Sequence, residues 1–90
     1  MKSIVQDLSQ ERCFWCGQSG DLDLHHIMHG SANRRLATKY GLVCWLCRRC
    51  HQIAHCDYMV NRMLEQKAQA AFEQTHTRTE WMQIFGKNYL

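Results

Sequence analysis

LVCWLCRRCHQIAH, residues 42–55, carries two chemical signals in one short stretch. Cys47-x2-Cys50 sets two thiols across a tight turn, and His51-Gln-Ile-Ala-His55 sets two imidazoles at i and i+4, on one side of a helix. The apolar run Leu42 to Leu46 before them has the character of a strand, so the expected order is strand, thiol turn, short helix. A matching pair, Cys13-x2-Cys16, lies upstream, with residues 17–46 between the two pairs. Two C-x2-C pairs complete the tetrahedron that zinc accepts in a closed structural site. Such binding releases on the order of 10 kcal/mol, comparable to the whole stability of a small domain, so the expected ion is part of the fold. Cys44-x2-Cys47 is spaced equally well, but Cys44 falls mid-strand whereas Cys50 closes a turn. Cys44 and Cys56 therefore read as small buried hydrophobes. The alternative, a redox C-x2-C, lacks the βαβ context expected of it.

Outward from this stretch, Cys13-Phe-Trp-Cys16-Gly17 reads as a tight knuckle. Leu22 to Ile27 alternates as a short strand, with Leu22 and Leu24 on one face and Asp23 and His25 on the other. Gly30, Ser31 and Asn33 predict a loop from Met28 to Gly41. Downstream, Met59 to Glu73 has helical spacing, with Met59, Met63, Leu64, Ala68, Ala71 and Phe72 as its expected core face. Thr77-Arg-Thr-Glu80 has the spacing of a capping box, which opens a last helix from Arg78 to Phe85, and Gly86 suits the position after its end. With no Pro, no repeat and no linker, the chain reads as one α+β domain over residues 1–90. Residues 13–55 hold the zinc knuckles and a ββα core, and residues 57–90 form a C-terminal helical part.

A chain of 90 residues buries only about 60 to 65% of its unfolded surface, so a staple is expected. Six Cys behind a start, MKSIVQDLSQER, that has no apolar leader suit a reducing, cytoplasmic setting, where paired Cys more often bind metal than form disulfides. No apolar run reaches the roughly 18 residues of a membrane span, so no membrane partner is expected. The net charge of +3 is modest, but its placement is informative. Arg34, Arg35 and Lys39 cluster before the second strand, and Arg48 and Arg49 sit inside the second thiol pair. The three Trp are scattered and read as packing residues.

Asp23-Leu-His25-His26-Ile27 adds two adjacent imidazoles at the end of a strand, where neighbouring side chains point to opposite faces and take different roles. Taken together, CFWC, LDLHHI and LCRRCHQIAH resemble the HNH (ββα-metal) endonucleases. The segment HHI…GSANRRLATKYGL…LCRRCH is particularly similar to small phage-encoded HNH proteins, a similarity that extends to KAQAAFEQTHTRTEWMQIFGKNYL at the C-terminus.

The resemblance implies two strands and a helix framing one divalent ion, beside a structural zinc held by Cys13, Cys16, Cys47 and Cys50. It implies His25, His51 and His55 as ligands of the catalytic ion (Zn, Ni, Co, Mn or Mg) and His26 as general base in DNA phosphodiester hydrolysis. An imidazole with a pKa near 6.5 can take a proton from water at neutral pH. Three imidazole ligands favour a transition ion over Mg, which prefers oxygen. Zinc-bearing members usually carry Asn shortly before the Leu-Cys pair, where this chain has Gly41-Leu42; Asn33 is the first candidate to orient His26, and Asn61 the second. Asp23 is a candidate for the outer shell of the ion, while His29 and His76 receive no role. Arg34, Arg35, Lys39, Arg48 and Arg49 are the expected phosphate contacts to DNA, without sequence readout. The alternative is an inactive zinc-stapled DNA- or protein-binding module on the same scaffold, an accessory to phage DNA packaging or recombination proteins.

Overall fold

The computed structural model describes residues 1–90. Its elements are β1 (Leu22–His26), α1 (Ser31–Tyr40), β2 (Val43–Cys47), α2 (Arg48–Cys56), α3 (Tyr58–Phe72) and α4 (Arg78–Phe85). The two strands pair antiparallel, with His25 opposite Cys44, Asp23 opposite Leu46 and Leu22 opposite Cys47. Cross-strand partners share a face, so Asp23 and His25 lie with Cys44 and Leu46 on the side toward α2 and the core. The chain is thus a small α+β fold with a ββα unit and further helices, and no helix is long and apolar enough to cross a membrane.

The segment expected as a loop between the strands is instead the ten-residue helix α1. Gly30, at φ 94, stands outside it as N-cap, and Gly41, at φ 72, closes it in the left-handed conformation with its N–H on the carbonyls of Ala37 and Thr38. Ser31 and Asn33 fall in the first turn, where such residues are well accommodated, so they do not break the helix. Behind them Ala37 is fully buried and anchors α1 to the core.

Residues 3–14 run along the second edge of β2. Ile4 N–H donates to Gly41 O (2.9 Å), Trp45 N–H to Gln6 Oε1 (2.8 Å) and Phe14 N–H to Trp45 O (2.7 Å), while Ser3 Oγ donates to Val43 O. This strap removes an edge that would otherwise present unpaired backbone groups.

In α3 the buried residues are Leu64, Ala68, Gln69 and Phe72, whereas Met59 and Met63, expected in the core, are 63% and 44% exposed. A spacing of three and four describes two neighbouring rows of a helix equally well, and the row through Leu64, Ala68 and Phe72 is the one that faces inward. The capping box of α4 forms as expected: Glu80 N–H donates to Thr77 Oγ1 (3.1 Å) and Thr77 N–H to Glu80 Oε1 (2.9 Å). Gly86 ends that helix at φ 73. Buried Gln69 fastens the tail to α3, its Oε1 accepting from Tyr89 N–H (2.7 Å) and its Nε2 donating to Asn88 Oδ1 (2.8 Å).

Candidate metal centres

Cys13, Cys16, Cys47 and Cys50 meet where the N-terminal knuckle touches the junction of β2 and α2, with all four sulfurs within 4.8 Å of one another. Gly17, at φ 82, turns the knuckle, and its N–H returns to Cys13 O at 2.8 Å. The Cys16 and Cys47 sulfurs are 3.8 Å apart, and a tetrahedron with Zn–S of about 2.3 Å has edges of about 3.8 Å. Burial works to raise the Cys13 thiol, but the N–H groups of Cys16, Cys47 and Trp15 aimed at it prevail and lower it from 9.0 to about 6. Cys50 moves the other way, raised by burial and by the three neighbouring thiols. Cys13 forms a thiolate readily and Cys50 resists, a conflict that a bound cation relieves; the four sulfurs can hold a structural metal such as zinc. Cys44 is buried as expected, its thiol pushed up to about 12 by burial and by Cys13. Cys56, expected to be buried, is exposed: it is the last residue of α2, where the chain has already left the core.

A second group forms between β1 and α2. His25, His51 and His55 place ligand nitrogens within 4.8 Å of one another, the two helical imidazoles arriving one turn apart and His25 reaching them from the strand. His51 Nδ1 faces Asp23 Oδ2 at 3.0 Å, so the outer-shell candidate is tied to His51. His51 Nε2 and His55 Nε2 lie 3.2 Å apart, close to the edge of about 3.3 Å that Zn–N bonds of about 2.0–2.1 Å require of a tetrahedron. His25 is 1% exposed, and its Nε2 has no hydrogen-bond partner. Buried polar atoms are rarely left without a partner, and an unpartnered nitrogen on one of three converging imidazoles fits a cation held among them. Burial, followed by the nearby His51, His29, His55 and His26 rings, lowers His25 from 6.5 to about 3. Burial and the His51 and His29 rings also lower His55. All of this favours neutral rings, the form that binds metal.

The three rings open on a cavity of about 700 Å³ that His26 and His29 also line. On its other side stand Arg34, Arg35 and Thr38, a stripe of α1 at helical spacing. His26 Nε2 lies 3.1 Å from Thr38 Oγ1, whose own proton goes to Arg34 O at 3.1 Å. A hydroxyl has one proton, so His26 Nε2–H must donate to Thr38, and Nδ1 keeps the basic lone pair. Burial and then the charge of Arg34 lower the His26 pKa, favouring the neutral, proton-accepting ring.

Some expected residues stand elsewhere. Asn33 is off the α1 stripe, and the partner of His26 is Thr38, a role visible only once residues 31–40 are known to be helical. Asn61 reaches a different ring, its Oδ1 lying 2.7 Å from His29 Nε2. His29, given no role by the sequence, packs with ring centroids 5.5 Å from His25 and 5.3 Å from His55; nothing in its spacing marks it. His76 stacks on Phe72. Of the basic residues only Arg34 and Arg35 line the cavity. Lys39 lies over the Tyr40 ring, Arg48 pairs with Asp23 at 3.6 Å, and Arg49 is exposed on α2. Comparison with known protein families, with curated proteins and with solved structures finds no match to this chain.

Proposed function

We propose that this chain is a metal-dependent DNA endonuclease of the HNH type, hydrolysing phosphodiester bonds with His26 as general base. The observation that carries the reading is the convergence of His25, His51 and His55, with the Nδ1 lone pair of His26 free beside them in one cavity. His25, His51 and His55 would hold a divalent ion, whose chemistry when bound is to neutralise charge on the phosphate and the leaving oxygen. Zn, Ni, Co or Mn suit three imidazoles better than Mg. His26 Nδ1 takes a proton from water, the water oxygen bonds to phosphorus, and the bond from phosphorus to the 3′ oxygen breaks, its electron pair leaving with that oxygen. The low pKa of His26 keeps the ring able to accept that proton at neutral pH.

Arg34 and Arg35 are the cationic side chains placed to grip the DNA backbone near the reacting group, which positions the substrate without reading its sequence. DNA is therefore the proposed partner. Association with phage packaging or recombination proteins extends the resemblance of the HHI…GSANRRLATKYGL…LCRRCH segment to phage-encoded HNH proteins.

The test is nicking and cutting of plasmid DNA over Mg, Mn, Ni, Co and Zn. Cleavage is expected with at least one transition ion and is lost, by roughly a hundredfold or more, in His26→Ala while zinc content and folding persist. Equal cleavage by His26→Ala overturns the assignment of the base. DNA binding without cleavage under every ion overturns the enzyme reading in favour of an accessory binding module on the same scaffold.

A further inference from the structure

A second cavity, of about 320 Å³, opens where α2 passes into α3, and His29 and His55 line both it and the larger cavity of the histidine centre. The two spaces therefore adjoin, with only these rings between them. Its volume lies at the low end for a ligand site and suits one flat ring system. Tyr58 lines it and is 71% exposed, the one Phe, Trp or Tyr of this chain that is not buried or half-buried. Tyr58 is the first residue of α3, and the backbone beneath it is fixed, because Asp57 Oδ1 accepts from Met59 N–H (2.9 Å) and Val60 N–H (3.2 Å). Other polar groups of the wall are engaged as well. His29 Nε2 lies 2.7 Å from Asn61 Oδ1, Asn61 Nδ2 donates to Glu65 Oε1 at 3.4 Å, and His55 Nε2 faces His51. The main surface left to a ligand is the Tyr58 ring, which attracts another flat ring without reading its identity.

We propose that the second cavity is a base-stacking subsite, in which Tyr58 holds an unpaired base of the DNA next to the phosphate at the histidine centre. A nucleotide joins a phosphate to a flat ring through one sugar, and the adjoining cavities present the matching chemistries: Arg34 and Arg35 in the larger, an aromatic ring in the smaller. In a paired duplex the faces of each base are covered by its neighbours, so only an unpaired base can meet Tyr58. The proposal rests on the phosphodiester reading for its class of ligand and deepens it by naming the substrate: DNA with an unpaired nucleotide beside the scissile bond. Stacking tolerates every base, so the subsite selects structure and not sequence.

The experiment is a fluorescence-anisotropy titration of the zinc-loaded protein at fixed salt, with a short oligothymidylate, a strand of the same length and charge whose sugars lack bases, and a fully paired hairpin. Tyr58→Ala is expected to weaken oligothymidylate binding about tenfold while leaving the abasic strand and the hairpin within about twofold, and Tyr58→Phe or Tyr58→Trp restores it. Tyr58 is exposed, so circular dichroism and Tm stay as in the wild type. Oligothymidylate binding that is absent, or unchanged in Tyr58→Ala, overturns the proposal and leaves the ring to another partner such as a protein segment. An equal loss on all three nucleic acids, or no rescue by Tyr58→Phe, overturns it too, since either result marks a contact other than stacking. Plasmid cleavage is measured separately: Tyr58-dependent binding by a protein that cuts nothing refutes the nuclease reading and keeps the subsite, and cleavage with Tyr58-independent binding does the reverse.

Discussion

Asp23 Oδ2 lies 3.0 Å from Nδ1 of His51, joining the buried face of β1 to the first turns of α2. The contact fixes the tautomer, since a neutral imidazole that donates from Nδ1 keeps its lone pair on Nε2, the nitrogen facing His55. The same contact, followed by the charge of Arg48, holds the Asp23 carboxyl below its usual range. A residue with no place in a ligand list thus decides which atom of His51 can bind a metal.

Asp23→Ala is expected to weaken divalent-ion binding at the histidine centre by about 10–100-fold, with Asp23→Asn intermediate because its amide oxygen can still accept the Nδ1 proton. Competitive titration with cobalt checks this, the zinc of the thiol centre serving as internal control. Wild-type affinity in Asp23→Ala removes the orienting role.

The two centres are expected to separate cleanly by mutation. Cys47→Ser loses the structural ion and with it the fold, since such binding is worth on the order of 10 kcal/mol, comparable to total stability. His51→Ala loses only the ion at the histidines. Elemental analysis with circular dichroism distinguishes them: two ions per folded wild-type chain, one per folded His51→Ala chain, and an unfolded Cys47→Ser chain. A folded, metal-free Cys47→Ser protein contradicts the structural role.

Acid is expected to destabilise the protein through His25. Its folded pKa of about 3 lies below the unfolded value of 6.5, so between these values the unfolded chain binds the extra proton. The contribution of the neutral ring is fully present above about pH 6.5 and is lost as pH falls toward 3, at up to roughly 1.4 kcal/mol per pH unit. Urea unfolding of protein with the histidine centre metal-free, from pH 7 to 5, checks the slope, and His25→Leu flattens it. An unchanged slope in the variant assigns the effect to other groups.

Gly41→Ala is expected to cost more than Gly86→Ala, although both glycines close helices at nearly the same φ, 72 and 73. A Cβ at Gly86 meets nothing within 4 Å, whereas one at Gly41 sits 3.1 Å from Lys2 O and 3.2 Å from Ile4 N. The left-handed conformation alone costs about 1 kcal/mol in either variant, and the crowding adds to it at Gly41 by pressing on the strap over β2. Tm measured for both variants gives the order, at roughly 4–8 °C per kcal/mol for a domain of this size.

The elements closest to expectation are those specified by local chemistry. The α4 boundaries follow from a capping box within four residues and a glycine after the last turn, and no distant contact is needed to read them. The pairs Cys13/Cys16, Cys47/Cys50 and His51/His55 follow likewise from spacings on a turn and a helix, whereas His25 as partner of the two helical imidazoles was implied by the resemblance and not by any spacing. The misread elements were those where a local signal has two meanings. Glycine, serine and asparagine mark loops and helix starts alike, so residues 31–40 passed for a loop. Two adjacent rows of α3 carry apolar residues, so Met59 and Met63 passed for core.

Sequence by itself determined that the thiols and the helical imidazoles come in pairs suited to a metal, because metal-ligand spacing is set over three or four residues of backbone geometry. Tertiary structure alone decided how those groups are completed: Asp23 on His51, Thr38 on His26, His29 beside His25, and the Arg34 and Arg35 stripe of α1 across the cavity. The first two join residues 28 and 12 positions apart, the third brings two rings together over a bend, and the last faces the histidines across open space. They depend on how strand and helices pack, and that is fixed by the burial of the whole core and not by any short pattern.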